Sequence, residues 1–134
     1  MENISLPPNN EPTPKQRADA LLQRLGMRRF DALMRIVDSD ISYQNTLLTI
    51  DAATARAIMN LEEKVLNAKT HQEVIVYEKA LMQARTKHAD ERLYATEEHF
   101  YSVVEHRDKT ALNDSDYKEA INIVCDFLKH PRMY

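Results

Sequence analysis

The chain has 134 residues, 43% hydrophobic and 29% charged, enough for one modest core and too apolar for an intrinsically disordered segment. Its longest apolar runs reach only about four residues against the ~18 that span a bilayer, so no membrane partner is expected. Residues 1–20 hold no apolar leader, and a single cysteine excludes an internal disulfide, so a cytoplasmic location is expected.

The net charge of −3 is unevenly spread. Between Lys15 and Ile36 six basic residues (Lys15, Arg17, Arg24, Arg28, Arg29, Arg35) face two acids (Asp19, Asp31), which makes that segment +4 and leaves −7 for the rest. Such a patch suits nucleic acid or an acidic protein surface, including acidic parts of its own chain.

Residues 1–12 hold three of the five prolines and no periodicity, and read as an extended arm. A terminal arm of this kind lies along its own domain or across a partner. Thr13-Pro14-Lys15-Gln16 is a helix start: a Thr N-cap, Pro at the first helical position, and Gln placed for a capping box. Ala18, Leu21, Leu22 and Leu25 follow with helical spacing, and Gly26, the only glycine, stands where a left-handed C′ residue belongs. A second helix with Phe30, Leu33, Met34 and Val37 on its apolar face is expected to end at Asp38-Ser39-Asp40. The pair, residues 13–37, forms a basic helical hairpin whose outline loosely follows a helix-turn-helix.

Residues 41–50 (ISYQNTLLTI) mix β-branched and polar residues, and a loop is expected there, leading into a helix capped by Thr49 or Asp51. That helix carries Ala55, Ile58, Met59, Leu61, Val65 and Leu66, and ends near Lys69. Thr70-His71-Gln72-Glu73 is a capping box, and after it almost forty residues pass without Gly or Pro. One long helix over about 70–108, roughly 57 Å long at ~1.5 Å per residue, should form an antiparallel hairpin with its predecessor across 51–108. Val74, Tyr77, Leu81 and Ala84 mark its first apolar third. Gln83–Arg92 is polar, which suggests a solvated middle or a break near Ala89-Asp90. No sustained apolar heptad runs through it, so a simple coiled coil is not expected. Near its end Leu93, Tyr94, Phe100, Tyr101, Val103 and Val104 occupy nearly every side, the pattern of a helix buried centrally or shared with a neighbour. Asn113-Asp114-Ser115-Asp116 caps a last helix over 114–130, with Glu119 in its acidic start. Tyr117, Ile121, Val124, Cys125 and Leu128 form its apolar stripe, and residues 131–134 form a tail.

Catalytic and metal chemistry find no convincing pattern. His99 and His106 are two helical turns apart and Glu98 and Glu105 repeat that spacing, but neither H-E-x-x-H nor Glu-x-x-His occurs. Adjacent acids such as Glu97-Glu98 diverge around a helix instead of pairing. Cys125 lies on an apolar stripe and is expected to be buried in the core. No catalytic residue, metal or cofactor is expected.

The expectation is therefore an all-α protein of about five helices, with an arm (1–12) and a single helical domain (13–130), and no enzyme. It would serve as an oligomeric assembly or adaptor component, an architecture shared by small viral and phage structural proteins. Its partners would be proteins, copies of itself among them, met through Leu93, Tyr94, Phe100, Tyr101 and Val104. The alternative is a nucleic-acid-binding regulator or packaging factor using residues 14–37 through Arg17, Arg24, Arg28, Arg29 and Arg35.

Overall fold

The computed structural model describes residues 11–130. The expected arm lies outside these but for its last two residues, and so does the expected tail. The described chain is all-α, with no strand among the described residues and four helices: α1 (Pro14–Leu25), α2 (Met27–Leu66), α3 (His71–Thr110) and α4 (Asp114–Lys129).

Four helices replace the expected five because α2 does not stop at Asp38-Ser39-Asp40 and residues 41–50 are not a loop. Helix propensity there is poor, but tertiary contact overrides it. Tyr43 stacks on His99 with ring centroids 4.6 Å apart, and its hydroxyl lies 2.9 Å from Thr96 Oγ1. Thr49, expected as a cap, instead bonds back to the Asn45 carbonyl within the helix at 3.0 Å. α3 likewise runs without a break through Ala89-Asp90.

The chain forms two compact units. One gathers residues up to Ser39 with those from Ser102 onward, and the other is Asp40–Tyr101. In the first, Ala18 and Leu21 of α1, Phe30, Leu33 and Val37 of α2, and Ala120 and Val124 of α4 form one buried cluster. Cys125 packs at the edge of that cluster and is only half-buried, not enclosed as expected. The α1 capping box forms as its sequence dictates: Gln16 N–H donates to Thr13 Oγ1 at 3.1 Å and Thr13 N–H to Gln16 Oε1 at 2.9 Å. Asn113 caps α4, its Oδ1 accepting from Asp116 N–H at 2.8 Å.

Gly26 joins α1 to α2 with φ 89° and ψ 160°. The positive φ was expected, but ψ lies far from the left-handed helical value, in a region that essentially only glycine visits. A side chain there would meet nothing within 4 Å, so its cost would be backbone strain alone.

The α3–α4 connection is tighter. Ala111 takes φ 52°, which costs an L-residue about 1–2 kcal/mol. Ala111→Gly is therefore expected to stabilise the protein by roughly 0.5–1 kcal/mol, after the entropy that glycine adds to the unfolded chain; chemical denaturation followed by circular dichroism reads it. Arg107 spans the same turn. Its Nη1 donates to the Leu112 carbonyl at 2.8 Å and to Thr110 Oγ1 at 3.3 Å, its Nη2 reaches Asp114 Oδ1 at 3.1 Å, and its guanidinium lies 4.0 Å from the Tyr117 ring centroid.

In the second unit α2 and α3 run antiparallel. Asp40 meets His99 at 3.6 Å, Asp51 meets His88 at 2.7 Å, and Lys64 lies 5.9 Å from the Tyr77 ring centroid. The connecting turn is fixed by the second capping box, in which Glu73 N–H donates to Thr70 Oγ1 and Thr70 N–H to Glu73 Oε1, each at 3.1 Å. Two helices alone cannot enclose much: within this unit only Leu81 is buried.

Candidate protein-interaction surface

The aromatic end of α3 lies outside any core. Leu93 is 58% exposed, Tyr94 67%, Phe100 61% and Tyr101 67%, against the burial that their clustering suggested as one option. Their spacing, with Asp90 and Glu97, repeats every three or four residues, so all six share one side of the helix. The rings are held in place: Phe100 and Tyr101 meet edge to face with centroids 6.0 Å apart, and Tyr94 donates its hydroxyl to Glu98 at 2.9 Å. That carboxylate keeps the Tyr94 phenol above its usual titration range. Residues 90–101 carry Asp90, Glu91, Glu97 and Glu98 against Arg92 alone. The face is thus aromatic and acidic, suited to a basic and apolar surface. Val104, the fifth expected contact, belongs to the other unit and is 45% exposed.

The basic segment is largely engaged within its own unit. Arg17 lies 3.5 Å from Asp126 and Arg24 3.8 Å from Glu119, both acids on α4. Arg29 donates to the carbonyls of Leu25 at 3.2 Å and Thr110 at 3.5 Å. Arg35 pairs with Asp31 at 2.8 Å. Arg28 alone of the five has no partner among the described residues. Glu119, expected to serve the start of α4, faces Arg24 instead.

The polar middle of α3 is not simply solvated. His88 and Arg92 turn toward α2, where both donate to Asp51 at 2.7 Å. His88 and then Arg92 hold the Asp51 carboxyl below its usual range. A carboxylate with a depressed folded pKa adds stability above its unfolded pKa and loses it as pH falls through the folded one. The wild-type hairpin is therefore expected to weaken on acidification below about pH 4, and Asp51→Asn to lose that part of the pH dependence. Thermal melts across pH 3–7 (roughly the carboxylate-to-neutral range) check this, and parallel profiles for the two proteins would contradict it.

Among the described residues no group of three His, Cys, Asp or Glu side chains is placed to hold a metal, and no helix is long and apolar enough to cross a membrane. His99 and His106 have separate surroundings: His99 stacks on Tyr43, while His106 Nδ1 donates to the Ser102 carbonyl at 2.8 Å. A shallow depression in the first unit is lined by Arg24, Leu25, Arg29, Asn113 and Asp116. No family model matches the chain, and no curated protein or solved structure compared with it matches either.

Proposed function

We propose that this is a non-enzymatic assembly or adaptor protein, working by protein–protein contact inside a larger complex in the cytoplasm or within an assembled particle, such as a viral or phage structure. One observation carries the reading: Leu93, Tyr94, Phe100 and Tyr101 lie on one side of α3, each more than half exposed, in a unit of two helices that leaves them uncovered. Contiguous exposed apolar side chains rimmed by charge mark interaction sites. The acids among them call for a partner that brings arginine or lysine together with apolar groups.

Affinity purification of tagged chain from its native cells tests this, with a Phe100→Ser/Tyr101→Ser variant alongside. A protein recovered in stoichiometric amount with the wild type should be lost with the variant, while circular dichroism stays the same. Identical recovery with both would overturn the assignment of the contact to this face. The nucleic-acid alternative rests on Arg28 and on arginines already partnered inside the chain. It requires salt-sensitive binding to duplex DNA that Arg28→Ala/Arg29→Ala removes; no binding at low salt by the unaltered chain would end it.

A further inference from the structure

The middle of α2 carries two interleaved apolar series. Tyr43, Leu47, Ile50, Thr54, Ile58, Leu61 and Val65 are half-buried and belong to the hairpin. Between them lies a second series, Ile41, Asn45, Leu48, Ala52, Ala55, Met59, Glu62 and Leu66, whose steps alternate strictly between four and three residues. All eight are exposed, Leu48 at 67%, Met59 at 68% and Leu66 at 84%. A strict seven-residue repeat sustained over 26 residues is the seam of a helix that wraps against another helix. α3 covers only the first series.

We propose that this outer seam is a two-fold contact with a second copy of the chain, the two α2 helices running antiparallel. The series reads the same in both directions. In one register Ile41 meets Leu66 of the second copy, Leu48 meets Met59, and Ala52 meets Ala55, and the same pairs recur beyond the axis, as an isologous contact demands. The small alanines sit at the axis, where the backbones approach most closely. Asn45 and Glu62 pair in a polar layer that recurs once on each side of the axis.

Charge selects this arrangement. From Ile41 to Leu61 the only charged residues are Asp51 and Arg56. They flank opposite edges of the seam, and Asp51 is already held by His88 and Arg92 of α3, so the one charge inside the seam is Glu62. Glu62 and Glu63 come level with Asn45 and Gln44, so no like charges meet. A parallel pairing in register would set Glu62, which lies in the seam itself, against its own copy. The acidic 90–101 face of α3 would repel its own copy, so that face and this one take different occupants. The inference rests on reading the protein as an assembly component, but it fails on its own terms without touching the α3 face.

Sedimentation equilibrium and bis-maleimide cross-linking of the full chain test it, in a Cys125→Ser background for the cross-links. The unaltered protein should show an even multiple of 15.6 kDa, and Ala55→Glu should halve that mass with helicity unchanged, since glutamate is a good helix former at an exposed site. A Leu48→Cys chain mixed with a Met59→Cys chain should cross-link to one another through a short linker. Neither should cross-link to itself, because eleven residues along the helix separate like positions by about 16 Å. A monomeric mass at the highest soluble concentration would overturn the proposal, as would an oligomer indifferent to Ala55→Glu. Cross-linking of Leu48→Cys to itself as readily as to Met59→Cys would overturn the register.

Discussion

Leu33→Ala is expected to lose most of the stability of the unit built from the two ends of the described chain. Leu33 is 0% exposed and sits in the cluster that joins α1, α2 and α4. Truncating a buried leucine costs about 2–5 kcal/mol, from lost transfer energy and the cavity left behind. Whole domains are stable by only ~5–15 kcal/mol, so a cost near the upper end would leave a marginal protein at 25 °C. The unit has few ways to collapse around the gap, because Val124 on α4 is also fully enclosed and the two helices packed against Leu33, α1 and α4, are each anchored by an N-cap. Urea unfolding followed by far-ultraviolet circular dichroism measures the effect. Met82→Ala, at a side chain 67% exposed, supplies the control and should stay within about 0.5 kcal/mol of wild type. An equal loss in both proteins would mean that packing around Leu33 does not limit stability.

The parts of this fold legible in the sequence are those fixed by neighbours three or four residues away. Thr13 with Gln16, Thr70 with Glu73, and Asn113 announce their helix starts because the bonds they make are local. The apolar stripe of α1 and its continuation through Phe30, Leu33 and Val37 could be read because one side is buried and the other wet. The stretch ISYQNTLLTI defeats that logic. Its apolar residues fall in two series, inner and outer, with Ser42, Gln44, Asn45, Thr46 and Thr49 scattered among them, so no single apolar stripe reveals the period, and the helix passes for a loop. The middle of α3 defeats it in the opposite way. The positions facing α2 are filled by His88 and Arg92, whose partner Asp51 is about forty residues away in the chain, as the separations of 37 and 41 show. Polar residues in a seam look like a solvated surface until the partner helix is in place. The aromatic residues of the candidate site were visible as a cluster, but whether they served the core or a neighbour depended on how many helices surround them. Only the two-helix construction of their unit shows that they lie outside a core.

Arg107 is the residue that pattern gave least reason to notice, and Arg107→Ala is expected to destabilise the protein by roughly 2–4 kcal/mol. Its contacts contribute unequally. Asp114 is 99% exposed, so its 3.1 Å pair with Arg107 adds little in water. The Leu112 carbonyl is different: it accepts from a charged donor that is itself only 24% exposed, and hydrogen bonds of that kind contribute about 1.5–3 kcal/mol. The stacking of the guanidinium on Tyr117 adds about 0.5–2 kcal/mol. Thr110, 0% exposed, accepts from Arg107 Nη1 while donating its own hydroxyl to the Arg107 carbonyl at 2.7 Å. Removing the guanidinium would thus leave a buried hydroxyl with one partner fewer, beside a turn already holding Ala111 at positive φ. Arg107→Lys should recover only part of the loss, because an ammonium cannot reach carbonyl, hydroxyl and ring at once. Asp114→Ala should cost less than about 0.5 kcal/mol, and a cycle pairing Arg107→Ala with Tyr117→Leu should show about 1 kcal/mol of coupling. If Asp114→Ala instead matched Arg107→Ala, the exposed ion pair would be the part that holds α4 to α3, and the buried half of the network would have to be demoted to filling space.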